Sequence, residues 1–149
     1  MKTLLMVFAS LLLAACGEDS GFNRFNNAFG TGTFPVANDG QAALYIVRDA
    51  GQPDAPAINI TVGRQPLVGL TAPNWVRLDL APKLYDLRAY GTQTSNELIV
   101  TVAPGQTRFL LAQPTATGGA ELLEISQEQG RRLVRKGERM WTPEVHSDY

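Results

Sequence analysis

One residue in this sequence is set up for covalent chemistry by its surroundings. Cys16 is the only cysteine among 149 residues, and it ends the stretch LLLAAC, directly after the uncharged run Leu4–Leu13 and two small alanines. Thiolate is a strong nucleophile, so a lone thiol at that point suits alkylation. Two other readings of it are a stray cysteine after an ordinary secretory signal and a small hydrophobe packed in a core. Other chemically capable residues are sparse. His146 is the only histidine and lies in the closing HSDY, so a Ser-His-Asp triad or a histidine metal site would have to recruit the tail. Asp79 and Asp86 fall on neighbouring expected strands and would supply a carboxylate pair for hydrolysis; the plainer reading is outward, solvated charges. No GxSxG, HExxH, phosphate loop or CxxC occurs, so no catalytic residue, metal ligand or cofactor is assigned.

Two further groups bear on binding. Arg131, Arg132, Arg135, Lys136 and Arg139 crowd together, opposed within their span only by Glu138, with Met140 and Trp141 directly after. That pattern fits either a solvated helix end whose cations complement the macrodipole, or a contact surface for anionic headgroups or an acidic partner. Trp75, Tyr85 and Tyr90, if exposed together, would make a stacking platform for glycan. Across the chain, 13 basic side chains face 14 acidic ones. A nucleic-acid interface wants a strongly basic face, and this balance does not provide one.

Lys2 precedes the apolar run, which as a helix would span about half a bilayer core. A charged start, a short apolar stretch and then small residues form the layout of a secretory signal over residues 1–15. Residues 16–41 are rich in Gly and Asn and read as a tether reaching about 28 Å as a coil. Four rings, Phe22, Phe25, Phe29 and Phe34, interrupt it; they are expected to pack on the domain or rest at a lipid interface, with partner docking as the sharper reading.

From Ala43 short β runs alternate with turn signals: Ala43–Arg48, Ala57–Val62, Leu67–Leu70, Trp75–Leu80, Leu84–Tyr90, Glu97–Val102, Thr107–Ala112 and Glu121–Ile125. Gly63-Arg64 marks one tight turn, and Ala103–Gln106 (APGQ) predicts a hairpin between the two strands it separates. Ser126-Gln127-Glu128-Gln129 fits a capping box opening a helix that runs to about Lys136, with Gly137 as its stop and Gly130 weakening it. The expectation is a mainly β fold: an antiparallel β-sandwich of seven or eight short strands over residues 42–136, closed by one C-terminal helix, with a tail at 137–149. No cysteine follows Cys16, so the core must hold without a disulfide.

Two resemblances add to this. Leu13-Ala14-Ala15-Cys16 resembles the lipobox of bacterial lipoproteins, which implies diacylglycerylation of the Cys16 thiol, cleavage just before it and acylation, with palmitate for example, of the new amino terminus. Gly17 is similar to the outer-membrane default rather than the aspartate of inner-membrane retention. The succession ALYIVR, AINITVGR, NWVRLDLAP, LYDLRAYG, NELIVTVAPGQTRFLLA, ELLEISQEQGRRLV resembles the bacterial family called domain of unknown function 2846. Ala81-Pro82-Lys83 departs from that family's usual Pro-Gly turn. The family has no assigned catalytic or binding residues, so none is carried over.

Together these readings describe a lipid-anchored envelope lipoprotein, not an enzyme, at the outer membrane and facing the periplasm. Its partners would be the membrane, through Cys16, and an envelope protein met at an exposed strand edge or the basic helix. A glycan- or peptidoglycan-binding module is the alternative, and a carboxylate-dependent hydrolase a third.

Overall fold

The computed structural model describes residues 34–51, 54–92 and 95–146. The expectations on Cys16, Phe22, Phe25 and Phe29 lie outside them. Eight strands form: β1 Ala42–Val47, β2 Ile58–Val62, β3 Gln65–Leu70, β4 Trp75–Leu80, β5 Leu84–Tyr90, β6 Ser95–Thr101, β7 Thr107–Pro114 and β8 Ala120–Ile125, followed by one helix, α1 Gln127–Val134. The strands build two four-stranded sheets, ordered β4-β1-β7-β8 and β3-β2-β5-β6. They face each other as a β-sandwich with a mainly aliphatic core that includes Leu44, Ile60, Leu78, Leu87 and Leu110.

Period-two alternation produces this packing. In β5, Tyr85, Leu87 and Ala89 point into the core while Asp86, Arg88 and Tyr90 face outward. β1 departs from it, with all six residues buried. Its second face lies under α1, so Tyr45 meets a second, aromatic core on the outside of the first sheet. There the Tyr45 and Phe109 rings stack at 5.0 Å, with Trp75 at 5.7 Å from Tyr45.

Two expectations are corrected. The Ala103–Gln106 turn forms, with Gly105 at φ +71 and Gln106 N–H bonding the Ala103 carbonyl, but it does not close a hairpin. β6 pairs with β5 in one sheet, while β7 pairs with β1, in parallel, in the other. The loop is held to β1 instead: Gly105 N–H bonds the Gln41 carbonyl, and Ala43 N–H bonds the Gln106 carbonyl. Local turn chemistry was satisfied, and the choice of sheet was made by a contact distant in sequence. The helix also ends at Val134 rather than near Lys136, with Arg135 as its C-cap.

Residues 137–146 pack onto the sandwich. Trp75 N–H bonds the Glu138 carbonyl and Met140 N–H bonds the Trp75 carbonyl, so the segment pairs with the β4 edge. Further on, Gln65 donates to the Glu144 carbonyl at 2.6 Å and accepts from His146 N–H at 3.1 Å. The C-terminal segment thereby covers the β4 edge and reaches β3. A Cβ on Gly137 would collide with the Pro73 carbonyl, which is why this close approach takes glycine.

Candidate functional site

Arg131, Arg132, Arg135, Lys136 and Arg139 are all exposed. The Ser126 hydroxyl caps α1 by accepting from Gln129 N–H at 3.2 Å, and this fixes the helix's rotation. Gly130, Leu133 and Val134 face the sheet. At 100° per residue, Arg131, Arg132 and Arg135 then fall within an arc of about 100° on the opposite side. Gly130 sets the depth of packing, since a Cβ there would collide with the Phe109 ring. The Arg131 guanidinium lies 5.3 Å from the Phe34 ring centre. That ring packs in turn on Tyr45 and Phe109 at 5.1 and 5.6 Å.

Arg139 pairs in register with Trp75, so its side chain shares the outer side of the first sheet. Met140 packs on the core, and Trp141 after it is 81% exposed. Arg131, Arg132, Arg135 and Arg139 thus lie on the outer side of the first sheet, with the exposed Lys136 and Trp141 in the same stretch of chain. No acidic side chain among the described residues forms an ion pair with Arg131, Arg132, Arg135 or Lys136, although Glu128 and Glu138 lie nearby in sequence.

Beside this cluster is a polar cleft of 390 Å³ lined by Arg77, Asp79, Arg139, Asn38, Gln41 and Glu144, among others. Arg77 is 5% exposed and is held by several partners. It forms an ion pair with Asp79 at 2.7 Å and donates to the Tyr45 hydroxyl at 3.2 Å and to the Val36 carbonyl at 3.0 Å. Burial raises the Tyr45 phenol above its ordinary value, against an opposing pull from Arg77. The sequence signal for this cleft was the Trp75, Arg77, Asp79 alternation, which marked a shared face but not the cover that buries it.

Asp79 and Asp86 do not form a carboxylate pair. The Ala81-Pro82-Lys83 turn carries the chain from one sheet to the other, so the two carboxylates sit on opposite outer faces of the sandwich. Each is engaged by an arginine two residues away: Asp79 by Arg77, and Asp86 by Arg88 at 2.9 Å, with Glu97 on the other side of Arg88 at 3.1 Å. The ring platform also does not assemble. Trp75 is 3% exposed under the C-terminal segment, where its indole donates to the Gly137 carbonyl. Tyr85 is buried between the sheets, with its hydroxyl on the Ala81 carbonyl. Tyr90 alone reaches the surface, on the outer face of the second sheet.

Among the described residues that outer face carries no helix. Leu84 and Ile99, on the paired strands β5 and β6, are 57% and 50% exposed there, beside the Asp86–Arg88–Glu97 group. Sequence reading also missed Arg48, which follows β1 directly and is almost fully buried. It donates to the Pro56 and Leu70 carbonyls at 2.8 Å each, while its Nη2 has no partner among the described residues. Burial lowers its pKa from the usual arginine value. Among the described residues no three metal-binding side chains cluster, and no helix is long and apolar enough to cross a membrane. The chain matches no protein-family model and no curated protein.

Proposed function

We propose that this chain is an envelope lipoprotein, attached through lipid on Cys16, whose β-sandwich is a binding module for a protein partner. The anchor reading rests on the thiol's place after the apolar run and the two alanines, and on the resemblance of Leu13–Cys16 to a lipobox. The resemblance to domain of unknown function 2846 agrees with it. Outer-membrane attachment facing the periplasm follows from Gly17 under the same reading.

The observation that carries the binding role is the unequal cover of the two sheets. The first sheet has α1 on its outer face and the C-terminal segment along β4. The outer face of the second carries no helix among the described residues, and Leu84 of β5 and Ile99 of the edge strand β6 are exposed there, diagonal to each other across the strand pair. An apolar pair that reaches an edge strand fits a partner that docks on this face and covers the pair. Photo-crosslinking from position 99 in envelope membranes tests this. One discrete partner band, lost in Ile99→Arg, supports the reading; crosslinks to nothing but lipid and solvent count against it. Glycan binding is the second reading. It is favoured by Tyr90 on the same face as the polar Asp86, Arg88 and Glu97, and loss of muropeptide binding on Tyr90→Ala would select it.

A further inference from the structure

We infer that the outer side of the first sheet, carrying Arg131, Arg132, Arg135 and Arg139, together with the exposed Lys136 and Trp141 of the same stretch, is a docking surface for an anionic lipid headgroup layer, and that it lays the sandwich against the membrane with the β5–β6 face outward. This deepens the proposed anchor and rests on that reading for the chain's presence at a membrane.

Three observations converge on a lipid surface rather than an acidic protein. The first is composition. Exposed cations near an exposed indole are the pairing that binds a headgroup layer, the cations by Coulomb attraction and the ring by its preference for the interface. The second is charge segregation. The chain has a formal net charge of −1, so five cations with only Glu128 and Glu138 among them leave the remainder acidic. Such a molecule is oriented by a negative surface as well as attracted to it. The third is connectivity. The path along the chain toward Cys16 leaves the described residues at Phe34, whose ring lies against Arg131, with Val36 held by Arg77 close by. A lipid on Cys16 is thus tied by covalent connection to a residue of the basic side. A protein partner explains the charge but not this connection.

The two tryptophans make the test direct. Trp75 is buried and Trp141 exposed, so in Trp75→Phe the indole emission reports Trp141 alone. The full chain carrying that change is placed in vesicles of phosphatidylcholine, or of phosphatidylcholine and phosphatidylglycerol in equal parts, each with brominated acyl chains. The expected result is a blue shift and bromine quenching of Trp141 in the anionic vesicles only. Binding should weaken at least about tenfold in the triple variant Arg131→Glu, Arg132→Glu, Arg135→Glu, and also in molar salt, where screening shortens to about 3 Å. An unchanged far-ultraviolet spectrum and melting temperature of the triple variant show that charge and not fold was lost. Equal iodide quenching of Trp141 in both vesicles, unaffected by charge reversal, overturns the inference. So does loss of a crosslinked acidic protein in the triple variant while Trp141 stays in water. The anchor is read separately, from the mass at Cys16. An unacylated Cys16 with anionic-lipid-dependent quenching would refute the anchor and uphold the docking surface.

Discussion

The guanidinium of Arg131 lies 5.3 Å from the centre of the Phe34 ring, joining the basic helix to the first described residue of the domain. The ring also touches Tyr45 and Phe109, so it seals the margin of the aromatic core on the first sheet. Its packing predicts that Phe34→Ala lowers unfolding free energy by about 2 kcal/mol, roughly half the cost of emptying a fully buried ring site. Urea denaturation measures it. A midpoint equal to that of the parent chain would mean the ring only rests on the surface.

Gly130→Ala should destabilise the fold, although alanine is the better helix former by about 1 kcal/mol. The added methyl collides with the Phe109 ring, and moving α1 away would open the contact between Leu133, Val134 and the sheet. The expected net loss is about 1–3 kcal/mol, the usual range for overpacking. A stabilised variant would show that the helix has freedom to rise without cost.

The two Asp–Arg pairs separate burial from proximity. Asp79→Ala takes the ion-pair partner at 2.7 Å from Arg77, a 5% exposed cation. A loss of about 3 kcal/mol is expected. Asp86→Ala removes a pair of similar length from the open face, where water replaces the carboxylate, and should change little. Chemical denaturation of both variants decides the point: equal losses would contradict the assigned difference in burial.

These contrasts mark what the sequence could and could not convey. Strand positions were legible because alternation and turn residues are local, so β4 and β5 fall where the pattern put them. The Ser126 cap was legible for the same reason. Partner choice was not: the turn at Gly105 reads as a hairpin, and only the pairing of β7 with β1 directs it to the other sheet. The cover over Trp75 was equally invisible, because a tail of mixed residues carries no strand pattern until it meets the β4 edge. The basic cluster could be named from the sequence, but the place of Arg139 on the same side as the helix cations needed its bridge to Trp75.

Alkaline pH should weaken the fold through Tyr45. Its folded pKa is raised above the ordinary phenol value of 10.0 by burial, so in that range the unfolded chain loses its proton first. The stabilisation is complete below that value and is lost as pH rises through the folded pKa. Tyr85 is raised in the same direction by burial, so Tyr45→Phe should remove part of the alkaline decline, not all of it. Urea midpoints followed from neutral pH upward test this; a decline of the same steepness in Tyr45→Phe would assign the effect elsewhere.

The proposed lipid on Cys16, holding this sandwich at the membrane, is read from the mass of the chain isolated from membranes. The prediction is an amino terminus at Cys16 carrying a diacylglyceryl thioether, with no such mass on a Cys16→Ser chain. A chain that begins elsewhere, or whose Cys16 is an unmodified thiol, would contradict it.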